Sequence, residues 1–320
     1  MALQSSGAIS ISQITTELGS ASYSLRTLSA AAGKTTPDAM SEFYGYSNAP
    51  LLLDTYSTVG LAYSLRKLRS AYTGYCIRVK RSSDSTTLDV GFSGGVLDTT
   101  AVTNFVGAST GSITIWYDQS GNGYNALTYG SLVPPIIVNA GTLVTLNTKV
   151  GASFPGGASG YGLIANGLAS YCPNIMTSGK YSMFAVGKIN DTSTRIMIQI
   201  GGGMQTQAAR RNGTNMEMID AAGASDVGSV NPGTAAFVVN SERKASSVEI
   251  FINGATNGAT AAGAAVSTNP CPLIGCYTNG ASYAWNGIIQ EVIFFPIDPA
   301  VTTTYRTNVN SNLATYYSII

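Results

Sequence analysis

The chain contains no histidine in 320 residues. That removes the side chain most used for proton transfer near neutral pH and the commonest zinc ligand, so any chemistry falls to carboxylates, hydroxyls or tyrosine. Charge is also scarce: 10% of residues are Asp, Glu, Lys or Arg, and the formal net charge is +1. Nucleic-acid affinity rests on clustered Lys and Arg, so no nucleic-acid partner is expected. No apolar run reaches bilayer length, and the opening MALQSSGAISIS has neither a basic n-region nor an apolar signal core. The expectation is therefore a chain made in a cytosol, with no membrane insertion. The four cysteines, Cys76, Cys172, Cys271 and Cys276, are irregularly spaced. In a cytosol they are expected as reduced, buried thiols, with a Cys271–Cys276 bridge across a turn as the alternative.

What is abundant points to β structure. There are 36 glycines and 18 tyrosines, and 44% of residues are hydrophobic, with Ile, Val and Tyr spread along the chain. This composition contradicts disorder. Residues 1–48 read as a unit of three short helices. The first has Ser12 or Thr15 as cap and Gly19 as stop, and the second ends at Gly33. The third has Thr36 at the N-cap, Pro37 at the first helical position and Gly45 as stop. So few apolar residues imply that this unit is stabilised by packing on another chain or on the main body. SNAP at 47–50 reads as a linker.

Residues 50–320 read as a second domain of short strands separated by turn signals, among them YCIRVKR, SITIWYD, YSMFAVGKI, TNMEMID and WNGIIQEVIFFPI. In SSVEIFING, Val248, Ile250 and Ile252 alternate with Ser247, Glu249 and Phe251 before the hairpin signal Asn253-Gly254. One face is expected in and one out. YSLRTLSAA at 23–31 is echoed by YSLRKLRSA at 63–71, and both read as short helices.

Three resemblances add to this. GAISISQITTELG with SEFYGYS is similar to the leader of tailed-bacteriophage structural proteins, which implies a virion protein whose N-terminus binds the particle. Ile9, Ile11, Ile14, Leu18, Phe43 and Tyr44 would make that anchor. VEIFINGATNGA, PLIGCY and WNGIIQEVIFF, followed by a last helix, resemble the closing strands of laminin-G/concanavalin-like folds. The expected fold is mainly β, an antiparallel jelly-roll β-sandwich behind a partly helical anchoring segment. Finally, YSLRKL, RVKRSSD and YDQSGNG resemble the catalytic domain of α-L-arabinofuranosidase B. In that family a strand Glu is the nucleophile, and GTNMEMID would place Glu217 there. The family's acid falls where this chain has Tyr277 or Thr278, and its adjacent cysteine pair is absent. Loss of a general acid costs about 10²- to 10⁴-fold. Glu217 is therefore expected as a relic nucleophile, and alternation favours a plain solvent-facing strand residue; Asp220 is a conceivable substitute acid and Asp226 lies further along a loop.

Other candidates carry weaker chemistry. Asp118, Asn122 and Asn125 suit turn formation around Gly121 and Gly123, with a calcium ion at Asp118 as the alternative and no other cofactor expected. Arg78 and Lys80 share a strand face and could meet an acidic glycan, although ion pairs with Asp84 or Asp89 suit this basic cluster better. Tyr124, Tyr129 and Tyr161 could stack on sugar rings. The leading expectation is a phage virion protein, an oligomer such as a trimer, bound to other virion proteins and adhering to host-surface glycan without catalysis. The alternatives are an arabinofuranosidase-like hydrolase and a purely structural capsid cement.

Overall fold

The computed structural model describes all residues except 1, 2, 5, 47–49, 129, 131, 158–159, 166–171, 173–174, 176–178, 201–206, 221–223, 263–270, 277–282, 299–302 and 320. Backbone contacts divide the chain into two units, Met1–Leu51 and Leu52–Ile320.

In the first unit, the helix Ile11–Leu18 starts at Ser10. Ser10 Oγ accepts the Gln13 N–H at 3.2 Å while Gln13 Oε1 accepts the Ser10 N–H at 2.7 Å. This reciprocal capping box satisfies two donors at once, so the helix begins before the expected caps at Ser12 or Thr15. It stops at Gly19, whose φ of 59° is left-handed. A second helix, Leu25–Ala31, is capped by Ser24, and the third element is a single 3-10 turn, Met40–Phe43, beginning after Ala39 rather than at Thr36. Ile14, Leu28 and Phe43 are fully buried together, with Ile9, Ile11 and Leu18 packed on them. Tyr44 is 41% exposed, and its hydroxyl donates to Gly7 O at 2.5 Å. Of the residues expected to anchor, Ile9, Ile11, Ile14, Leu18 and Phe43 build their unit's own core, with Ile14 and Phe43 leaving no surface for a partner, while Tyr44 stays exposed.

The second unit is mainly β, with antiparallel pairing between all its described strands. One ladder centres on Tyr181–Ile189, paired with Phe237–Arg243 on one side and Asn286–Phe295 on the other. The other ladder runs from Ile77–Arg81 through Gly111–Trp116, Ala126–Leu127 and Leu163–Ala165 to Leu273–Ile274, Arg195–Ile200, Gln207–Asn212 and Asn215–Asp220. Met183, Val292 and Phe294 from the first meet Ile113, Ile198, Met216 and Met218 from the second in the main core. The opposite face of the first ladder is apolar as well: Phe184, Val186, Val238, Ile293 and Phe295 pack under Val309 and Leu313 of the helix Thr303–Tyr316 and under Tyr317 just after it. Each such side chain contributes about 1.5–3 kcal/mol on burial, which explains why the central strands lack polar alternation.

Two local expectations change for tertiary reasons. Tyr63 and Ser64, read as helical from YSLRKL, lie in a strand, Leu61–Ser64, paired with Phe294–Glu291. Long-range pairing overrides the local echo. The Asn253-Gly254 hairpin has both residues at positive φ, 52° and 81°, the type I′ geometry its sequence demands. Phe251, expected to face out, is buried because the Arg306 guanidinium of the terminal helix sits 4.0 Å over its ring.

The cysteine expectation is also corrected. Cys172 and Cys271 form a disulfide with Cα atoms 5.0 Å apart, so Cys271 is not bridged to Cys276. Cys76 and Cys276 are free, buried thiols.

Candidate active site

YDQSGNG turns out to be a clamp on the Leu61–Ser64 strand. Asp118 Oδ1 accepts the Ala62 and Ser120 N–H groups, each at 2.9 Å. Its Oδ2 accepts the Ser120 hydroxyl at 2.5 Å and the Tyr124 N–H at 3.1 Å. Gln119, fully buried, accepts from Leu68 N and donates to Ser64 O and Arg66 O. Asn122 donates to Val59 O and Gly60 O, and Asn125 accepts from Asp118 N. Burial pushes the Asp118 carboxyl pKa up against the four hydrogen bonds that favour the anion. A carboxylate ringed by four donors has its lone pairs taken up within the protein, and Asp118 serves as a hydrogen-bond hub. Among the described residues no group of three His, Cys, Asp or Glu stands close enough to hold a metal.

The proposed glycan contacts are dispersed by the fold. Arg78 forks onto Asp89 at 2.8 and 2.6 Å, and Arg81 onto Asp84 at 3.1 and 2.5 Å, which are ion-pair roles. Lys80 stands exposed. Tyr124 and Tyr161 are half-buried and pack against the main core. Tyr129 lies outside the described residues.

Glu217 has a built environment. It lies on the Asn215–Asp220 strand directly opposite Arg210 on Gln207–Asn212. Met216 and Met218 point into the core, so alternation turns Glu217 to the other face. That face is not solvent: Glu217 is 9% exposed, which corrects the solvent-facing reading. Arg210 Nε and Nη2 donate to Oε2 at 3.0 and 2.9 Å. Asn212 Nδ2 reaches Oε1 at only 3.4 Å, and Asn212 itself accepts from Thr194 Oγ1 at 3.1 Å. One carboxylate oxygen is therefore fixed by a guanidinium while the other is lightly held.

The ladder register relates this pair to a second segment. Arg210 pairs with Ile196, Ile196 bridges Ala284, and the Gly275 N–H donates to Met197 O at 2.8 Å. The chain thus leaves the ladder after Gly275 and rejoins it at Ala284, alongside the register row that holds Arg210 and Glu217. At about 4.8 Å per strand step, the Leu273–Ile274 strand runs about 14 Å from that of Glu217. Tyr277 and Thr278, where the acid was sought, lie outside the described residues, as do the side chains of Asp220 and Asp226. The Cys172–Cys271 disulfide ties down the approach to Leu273–Ile274. A Cβ at Gly162 would collide with Cys276 Sγ, and burial pushes that thiol's pKa up to about 12, so it is an inert packing group.

Two features escaped sequence reasoning. The disulfide joins residues 99 apart and has no local signal. Arg211, 2% exposed, sits on the core-facing row beside Met216 and ties the hairpin turn through Gly213 O at 2.6 Å and Asn231 Oδ1 at 3.1 Å. Burial lowers its pKa.

Comparison with known proteins decides the family: residues 54–239 match the family described as α-L-arabinofuranosidase B, catalytic. The chain belongs to the α-L-arabinofuranosidase B catalytic-domain family. It is 48% identical over 60 residues to α-L-arabinofuranosidase B of Aspergillus oryzae, and 45% identical over 60 residues to that of Penicillium canescens, spanning 18% of this chain each time. A solved family 54 α-L-arabinofuranosidase, soaked with a cyclic sulfate inhibitor, superposes with a TM-score of 0.62 at 18% identity, over 82% of this chain. Another, complexed with arabinofuranosyl-α-1,2-xylobiose, gives 0.60 at 19% identity over 81% of this chain. These alignments span 12% and 13% of the two curated relatives and 64% of each solved chain, so this protein corresponds to part of each. Family membership overturns the expectation of a phage virion protein, and with it the virion location and the non-catalytic display role. The matching family is named for α-L-arabinofuranosidase B, and the match falls on its catalytic domain.

Proposed function

We propose that this chain hydrolyses α-L-arabinofuranosidic bonds, with Glu217 as the nucleophile. The observation that carries this reading is the Glu217–Arg210 pair. A carboxylate that is 9% exposed, with one oxygen forked by a guanidinium and the other held only at 3.4 Å, is oriented, yet has a lone pair to offer. Attack of Oε1 on the anomeric carbon forms a glycosyl ester as the leaving oxygen departs with the bonding pair; water then cleaves the ester and returns the carboxylate. The strand context of Glu217, NGTNME against the family's Glu-bearing strand, supports the assignment. The reading extends to the fold, a two-layer jelly-roll sandwich of laminin-G type, supported by the two ladders facing one core and by the superposition at 0.62.

With Tyr and Thr at the expected acid positions, leaving groups that depart without a proton should be favoured. The test is turnover of 4-nitrophenyl α-L-arabinofuranoside, whose nitrophenolate needs no protonation, by wild type and Glu217→Gln. Loss of about 10³-fold or more in kcat is expected for the variant. No wild-type turnover above background, or equal turnover by both proteins, refutes the proposal.

A further inference from the structure

A cavity lies on elements other than the Glu217 hairpin. The short hairpin of Thr145–Leu146 and Lys149–Val150 turns through Asn147 and Thr148, both at positive φ. Asn147 Nδ2 donates to Tyr317 O at 3.0 Å and Ser318 O at 3.1 Å, which fastens the hairpin to the end of the terminal helix. Beside this junction is a cavity of about 240 Å³. That is just under the range of about 300–1,000 Å³ for drug-sized ligands, and suits one sugar ring.

Its walls have two characters. Leu65, Leu97 and Val150 are apolar, while Thr99 and Thr148 bring hydroxyls. Tyr316 forms a platform between two cations, with the Arg66 guanidinium 4.3 Å and the Lys149 ammonium 4.6 Å from its ring centroid. The two cations differ in how they are neutralised. Arg66 is paired with Glu291 at 2.9 and 3.2 Å and with Asn312 at 2.8 Å, all within the protein. Lys149 is half-buried, and among the described residues its ammonium has only the Tyr316 ring and no carboxylate lines the cavity. A partly desolvated ammonium without a counter-ion is unfavourable, and an anion entering the cavity would relieve it. A bare phosphate would answer the charge and waste the apolar wall. A ring with a C–H face, hydroxyls and one carboxylate answers all three features. An open depression lined by Asn308, Ser311 and Asn312 shares Arg66 and Tyr316 with the cavity, so further units of a polymer have a polar path.

We propose that this cavity binds a carboxylate-bearing sugar, a hexuronate unit of an acidic polysaccharide, with its carboxylate on Lys149 Nζ and its C–H face against the apolar wall. The site is independent of the Glu217 chemistry. The test is calorimetric titration of the full chain with sodium D-glucuronate, D-glucose and sodium acetate. Glucuronate is expected to bind with a Kd on the order of 1 mM, and glucose and acetate at least about tenfold more weakly. Lys149→Gln should weaken glucuronate binding about tenfold while leaving the melting temperature and the turnover of 4-nitrophenyl α-L-arabinofuranoside unchanged. Four outcomes would overturn the proposal: equal affinity for glucose, equal affinity for acetate, unchanged affinity in Lys149→Gln, or no glucuronate binding at about 20 mM.

Discussion

Replacing Asp118 should unfasten the clamp that YDQSGNG makes on the Leu61–Ser64 strand. In Asp118→Ala, the N–H groups of Ala62, Ser120 and Tyr124 lose their acceptor, while the Ser120 hydroxyl can rotate away. Each buried donor left unpaired costs about 1–3 kcal/mol. Asp118 is only 3% exposed, so water cannot freely take its place, but removing a desolvated carboxylate returns part of the loss. A net cost of about 3–4 kcal/mol is expected, and at about 2–4 °C per kcal/mol for a unit of this size the melting temperature should fall about 6–16 °C. Asp118→Asn keeps the oxygen facing Ala62 and Ser120 but turns an NH₂ toward the Tyr124 N–H. It strands one donor and should cost about half as much. Differential scanning calorimetry of the three proteins, with and without calcium, is the assay. Both variants melting within about 2 °C of wild type would refute the hub reading. A calcium-dependent rise confined to wild type would restore a cation at Asp118.

Two further outcomes follow from pairings in the fold. Hydrogen bonding to the Arg78 guanidinium holds the Asp89 carboxyl below the usual carboxylate range. Its stabilisation is therefore full above about pH 4, the unfolded value, and is lost as pH falls through the depressed folded value. The stability difference between wild type and Arg78→Gln, from denaturant midpoints, should be constant above about pH 5 and shrink below about pH 4; an equal difference at both ends contradicts it. The Cys172–Cys271 disulfide closes a loop of 99 residues, for which loop-closure entropy gives up to about 4–5 kcal/mol. Cys172→Ser should thus lower the melting temperature by about 10 °C, and dithiothreitol should do the same to wild type but leave the variant unmoved; no change with reductant would refute that contribution.

The mainly β character, the strand positions and the Asn253-Gly254 hairpin were legible in the chain because they rest on two-residue alternation and on turn residues that alone tolerate positive φ. Glu217 was legible by its strand and its sequence context. Its surroundings were not, since alternation says which face a residue takes but not what covers that face. Arg210 is seven residues away and became its partner only through the hairpin register. The leader-like N-terminal stretch misled for a related reason: apolar residues on short helices look equally suited to a partner surface or to a small core. Ile14, Leu28 and Phe43 chose the core only once three elements met.

By itself, then, the sequence determined the local geometry, the exclusion of histidine chemistry and a family likeness carried by YDQSGNG. Tertiary structure decided what each polar group does. Asp118 serves four donors drawn from the strand of Ala62 and from its own loop, Lys149 faces a cavity with no counter-ion among the described residues, and Cys172 finds Cys271 across 99 residues. The physical reason is common to all three. Hydrogen bonds, charge compensation and disulfides depend on distances of a few ångströms between residues far apart in the chain, and those distances exist only after the ladders have paired and the core has closed.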